Sequence, residues 1–241
     1  ALGVLQSYVP EKKGLLAAFK GRDPLPLHTY EDLAGRHDEI MKKASRLLFL
    51  AKDVGEKRGG IPRLEQQLQE LEPWSGFDLP LSFQGTRKTA AFIGAIPRQT
   101  TLEEITAQLA ESCGRPAEIS IVSSSKEQTC LFVLCGKQDG EQVERSLKAL
   151  GFSRAPQTSQ VPAERQRQLQ EELEALRAGI EADEKEIISM ADARDEIKFV
   201  TDYYSMRAEK YGVLNGLAQS KNVFLITGYV PADQADRLEK D

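Results

Sequence analysis

Apolar positions in two long stretches of the chain return at alternating steps of four and three residues. In the first stretch the stations are Leu33, His37, Ile40, Ala44, Leu47, Ala51 and Val54, one histidine among aliphatic neighbours. After the interruption "GEKRGGIP" at 55–62 the step resumes at Leu64, Leu68 and Leu71. The second stretch runs from Leu169 through Leu173, Leu176 and Ile180, and on past Ile187, Ile197, Tyr204 and Tyr211. This spacing puts one apolar stripe on each of two helices, close to the heptad of a coiled coil. Polar stations such as Asp183 and Arg194 make the second stripe drift. The pattern predicts two arms, 31–73 and 162–220, the first loosened or kinked at Gly59, Gly60 and Pro62. An unbroken helix over 163–220 would be roughly 87 Å long at about 1.5 Å per residue. A compact chain of this length has a diameter of roughly 45 Å, so the expectation is a rod.

Between the arms, at 74–161, the pattern changes. "TAAFIGAIP" (89–97) reads as a strand, and "TTLEEITAQLAESC" as a helix with Thr100 as N-cap and Glu103 as its capping-box partner. "AEISIVSSS" and "QTCLFVLC" read as strands joined near 123–128. Asp139, with Gln142, caps "GEQVERSLKALG", and "FSRAP" is a short last strand. The order β-α-β-β-α-β is the ferredoxin-like pattern, a sheet with two helices on one face.

The ends carry less. Residues 1–30 read as a helix tail and connector. Residues 221–241 hold "KNVFLITGYVP", a strand, and a short helical start. A strand needs a neighbour for its backbone groups, so its partner is expected far back in the sequence or outside the chain. "AFIGAIP" and "FLITGYVP" share one device: an apolar strand, a glycine (Gly94; Gly228), one residue, Ile or Val, then a proline (Pro97; Pro231). The second copy is expected to open a second lobe, and the chain to be an excised piece in which that lobe is truncated. The expected fold is α+β: a long antiparallel helical coiled coil with a ferredoxin-like βαββαβ lobe at its tip and an incomplete second α/β lobe at its base.

Composition narrows the function. The formal net charge is −5, which gives no electrostatic reason to seek phosphate backbones and disfavours nucleic acid, including a DNA-linked coiled coil. The three cysteines form no spaced framework and suggest reduced thiols in a cytosolic setting. No apolar run is long enough to cross a bilayer, so the fragment is expected to be soluble. Cys130 and Cys135 lie five apart on one strand, point to opposite faces and cannot share a metal. His28 and His37 are the only histidines, and His37 falls on the helical seam. "SSSK" at 123–126 fits a hairpin turn better than a hydrolase motif. "GEKRGG" follows no strand and is no phosphate loop. Acidic pairs such as Glu171-Glu172 belong to a solvated helix face. The sequence therefore offers no catalytic, cofactor-binding or metal site.

With these elements in place, the chain resembles the cytoplasmic domain of the membrane subunit of rotary V-type and A-type ATPases called subunit I or subunit a. "LQSYVPEKKGLL", "LEPWSGFDLP", the Gly-x-Ile-Pro strand, "RAEKYGVL" and "FLITGYVP" carry the resemblance, in order along essentially the whole chain. It implies two α/β lobes joined by a long antiparallel coiled coil at the cytoplasmic face of a membrane complex. The implied role is a non-catalytic stator strut during ATP-coupled proton or sodium transport. The implied partners are a peripheral-stalk helical heterodimer and the membrane domain of the same full-length subunit, which is not in this chain. The "GEKRGGIP" break departs from the family pattern.

Two groups of residues suggest contacts. Trp74, Phe77 and Phe83 lie in the connector "PWSGFDLPLSF", either clamping the lobe to the helices or anchoring a partner helix. Arg87, Lys88, Arg98 and Lys126 could ring one side of the lobe and suit an acidic partner, against the default of loose surface charge. The uncovered edge of strand 222–230 could also pair with a second copy. The competing function is a small-molecule-sensing regulatory module, which rests on fold analogy alone.

Overall fold

The structure is a computed structural model that describes residues 1–11, 24–112, 117–216, 218–219, 223–225, 228–229 and 231. In chain order the elements are α1 (Leu2–Tyr8), α2 (Leu27–Gly35), α3 (His37–Leu71), β1 (Thr89–Ile96), α4 (Leu102–Ser112), β2 (Glu118–Ser124) and β3 (Thr129–Gly136). Then come α5 (Gly140–Ala149), β4 (Ser153–Arg154), α6 (Pro162–Ser189), α7 (Arg194–Gly216), β5 (Ala218–Gln219) and β6 (Phe224–Leu225). The fold is mixed α+β, with a four-stranded antiparallel sheet and long helices. Two compact units divide it, Lys52–Asp183 and the pair of segments Ala1–Ala51 and Glu184–Asp241.

The Lys52–Asp183 unit holds the sheet, in the order β2-β3-β1-β4. Side chains alternate along each strand, so the two sheet faces feed two cores. Phe92, Ile96, Leu131, Val133 and Cys135 pack with Ile105 and Leu109 of α4 and Val143 and Leu147 of α5. On the other face, Ile93 and Cys130 join Leu71, Trp74, Phe77, Leu81, Ala155 and Leu169. The ends of α3 and α6 and the connector between α3 and β1 thus close the face that the two lobe helices leave open.

Helices α3 and α6 run antiparallel in this unit. Lys57 Nζ bonds Asp183 at 2.6 Å, and Arg177 bonds Glu65 at 2.8 Å. A side chain at Gly60 would meet Leu176 at 3.4 Å, and one at Gly179 would meet the Lys57 ammonium at 3.1 Å. The helices are thus close at both glycines, with Gly179 the tighter of the two. The break expected at 55–62 is absent: α3 runs through it with Pro62 inside the helix. Packing against α6 outweighs the local cost of three glycines and a proline, which propensity alone would not allow.

Two helix caps differ from expectation. The capping box of α4 lies one residue later than the sequence suggests. Glu104 N donates to Thr101 Oγ1 at 3.2 Å, and Thr101 N donates to Glu104 Oε2 at 3.3 Å. Thr100 is buried instead, its N–H bonded to Thr129 Oγ1 at 2.9 Å. At α5 the Asp139 side chain makes no cap hydrogen bond, and its Oδ2 is buried with no partner. The backbone carbonyl of Asp139 accepts from Gln142 and Val143 instead, each at 3.0 Å.

The other unit has a core of Leu5, Ile40, Leu47, Leu50, Ile187, Ala193, Ile197 and Val200. Here the continuous helix expected over 163–220 is broken. α6 ends at Ser189, a 3₁₀ turn spans Ala191–Ala193, and α7 starts at Arg194. Asp195 and Glu196 fill the first turn of α7, where the helix dipole favours acidic groups. The strand expected within 221–231 has a local neighbour. Its described part, Phe224–Leu225, pairs with Ala218–Gln219, immediately before it in the chain. Two residues on each side form that ladder, and the rest of the expected strand lies largely outside the described residues.

Candidate functional site

The connector aromatics sit inside the fold. Trp74 is 3% exposed and Phe77 9%, their rings 6.2 Å apart edge to face. Phe77 also meets Phe132 of β3 at 5.5 Å. Phe83 packs partly buried on the same core. These rings couple the sheet to the helix ends, with Trp74 and Phe77 buried and Phe83 partly exposed. The exposed apolar residue of the connector is Leu79.

The four lobe cations do not form one ring. Arg87 and Lys88 precede the first residue of β1, whereas Arg98 follows its last and Lys126 sits in the β2–β3 turn. The two pairs are separated by the length of β1, about 25 Å at roughly 3.3 Å per residue. Lys137, which sequence reading passed over, joins the first pair. Thr89 is in register with Gly136, and Lys137 N donates to Lys88 O at 3.0 Å. Strand register could have revealed this neighbour; charge spacing along the chain could not.

Gly94 and Gly228 have different surroundings. A side chain at Gly94 would lie 2.0 Å from the Ser153 carbonyl oxygen and 2.5 Å from the Phe152 ring, so this glycine admits β4. Pro97 is exposed just beyond the strand and lies against Gly151. Gly228 faces open space, and Gly228 and Pro231 both lie outside β6.

Cys130 and Cys135 lie on opposite sheet faces, as strand alternation requires. Burial pushes the Cys130 thiol up, against a smaller lowering by a hydrogen bond with Ser123. Such a thiol is a poor nucleophile. His37 lies at the head of α3, its Nδ1 2.7 Å from the Ala34 carbonyl and its ring 5.9 Å from that of Tyr203. Among the described residues no group of three His, Cys, Asp or Glu side chains is placed to hold a metal ion. Among them, too, no helix is long and apolar enough to cross a membrane.

Arg194, a polar misfit in the heptad, has a specific place. It is 8% exposed and donates to the carbonyls of Leu5, at 3.1 Å, and Val9 at the C-terminal end of α1. Glu11 lies 3.5 Å from Arg194 and 2.6 Å from Lys198 Nζ. The Lys198 hydrogen bond is the main cause holding the Glu11 carboxyl below its ordinary range. A cation at a helix N-terminus opposes that helix's own dipole. Here it satisfies the carbonyls of another helix.

No family model matches this chain, and no curated protein matches it. Among solved structures it is similar to the crystal structure of the cytoplasmic N-terminal domain of subunit I, homologue of subunit a, of V-ATPase. That likeness covers 99% of this chain and 77% of the other, at 15% identity and a TM-score of 0.42.

Proposed function

We propose that this chain is a non-catalytic strut of a rotary V/A-type ATPase stator, the subunit I or subunit a class that its motifs resemble. In this reading α3 and α6 form an antiparallel coiled coil and the four-stranded lobe is ferredoxin-like. The observation that carries the proposal is the second sheet face, closed by Leu71 of α3, Leu169 of α6 and the connector's Trp74, Phe77 and Leu81. A lobe joined to its helices by one continuous core passes load to them without a hinge, because packed interiors deform little. Cross-helix pairs such as Lys57–Asp183 add register rather than much stability.

The lobe, 74–161, is the proposed docking end for a peripheral-stalk helical heterodimer, and the full-length subunit's membrane domain the other attachment. The test is titration of a purified stalk heterodimer into the intact chain by calorimetry. Saturable binding that a lobe-deleted chain loses is the expected result. No heat at high micromolar concentrations, with both partners folded, would overturn the reading.

A further inference from the structure

We propose that the end of the sheet where β1 begins and β3 ends is a docking point for an acidic protein segment, held by Arg87, Lys88 and Lys137. The inference stands apart from the rotary-ATPase reading. A cavity of about 490 Å³ opens there, lined by Arg87, Lys88, Gly136, Lys137 and Gln138. All three cations are exposed, and among the described residues none has an ion pair or a side-chain hydrogen bond. In a chain of net charge −5, Arg36, Lys43, Arg46, Lys57, Arg154 and Lys198 each hold a carboxylate, whereas these three cations, like Arg98 and Lys126 at the far end of β1, hold none; what sets the three apart is that they line one cavity.

The backbone beneath the cations is held. Thr86 N donates to Thr89 O at 3.0 Å, the two threonine hydroxyls lie 2.8 Å apart, and Lys88 N donates to Thr86 Oγ1 at 3.3 Å. Gly85 opens this turn at φ +107°, a conformation in which a side chain would strike the Thr89 carbonyl at 2.3 Å. The Lys137–Lys88 backbone bond ties the third cation to the first two. Ordering the turn is therefore complete before any partner arrives, which lowers the cost of binding.

The wall chemistry selects the partner. The cavity has no aromatic or aliphatic lining residue, so it offers no platform for a nucleotide base. Nor does it bury a polar anchor of the kind that gives a small anion high affinity. Three solvated point charges on a shallow end suit clustered carboxylates on a protein surface, with recognition set by long-range charge and weakened by salt.

The experiment uses the intact chain and a fluorescein-labelled Glu-Ala repeat peptide, followed by anisotropy from about 20 to about 200 mM salt, across which screening strengthens sharply. Binding at low salt that weakens at least about tenfold at high salt is expected. The variant R87Q/K88Q/K137Q should lose about tenfold or more in affinity at low salt. R98Q/K126Q, at the far end of β1, should bind as the parent chain does, and R87K/K137R should retain binding. Melting temperatures should match throughout, because the altered side chains are exposed and unpaired. Equal loss in R98Q/K126Q would mean diffuse charge and overturn the proposal. So would absence of binding at low salt. Displacement by tripolyphosphate well below the peptide's own dissociation constant would reassign the site to small anions, and the proposal would fall.

Discussion

A missing side chain at Gly94 decides whether β4 can join the sheet. The Phe152 ring and the Ser153 carbonyl occupy the volume that a Cβ would fill, and the carbonyl belongs to backbone that cannot rotate away. Gly94→Ala should therefore destabilise by about 3 kcal/mol, the upper end for overpacking. Urea unfolding followed by emission of Trp74, the chain's one tryptophan, measures it. An unchanged midpoint would show that β4 is dispensable to this core. From sequence alone Gly94 was visible only as part of a repeated Gly-x-Ile-Pro phrase; its reason lay in Phe152, far along the chain. The same limit hid Asp139, whose cap spacing was right and whose carboxylate nonetheless makes no cap bond. Local spacing names a candidate; the neighbour that uses it comes from tertiary structure.

Helices were legible by type and misread at their breaks. Glycines and a proline at 59–62 predicted a break, yet α3 continues through them, with Leu176 of α6 packed at Gly60. Pro62 is exposed, so it contributes no core contact to offset its lost backbone bond. Pro62→Ala should stabilise the chain by about 1–2 kcal/mol, the helix gain less the entropy restored to the unfolded chain. A fall in the urea midpoint would mean that α3 depends on a bend there. Conversely, the drifting apolar seam predicted no break near Met190, where the structure has one. The signal lay in its polar station: Arg194 turns to the carbonyls that end α1, and Asp195 and Glu196 start a new helix. Arg194→Met leaves the Leu5 carbonyl with only the Val9 N–H, takes the arginine donor from the Val9 carbonyl, and should cost about 1–3 kcal/mol. Arg194→Lys should not restore the loss, since one ammonium cannot reproduce the guanidinium's spread of donors. Unfolding followed by far-UV circular dichroism distinguishes the two; full rescue by lysine would reduce Arg194 to a simple charge.

At the scale of the molecule, acid should act on the two units differently. Three carboxyls sit below their ordinary range: Glu11 chiefly through Lys198, Glu186 through Arg46, and Glu144 through Lys148 and then Arg154. A carboxyl lowered on folding adds stability that is fully present above its unfolded value, near about 4.3 for glutamate. That stability is lost as pH falls through the folded value. All three are well hydrated, so each contribution is small and screened by salt. Their placement matters more than their size. Glu11 ties the first eleven residues to α7, and Glu186 ties α6 to α3, both in the unit built from 1–51 and 184–241. Glu144 pairs on the surface of the lobe, away from the core around Trp74. On titration from about pH 6 to about pH 3, helical signal should therefore begin to fall before Trp74 emission shifts to the red. Added salt should narrow the interval by weakening the pairs in advance. Coincident transitions at every salt concentration would show that the units unfold as one, with the helices they share carrying the cooperativity.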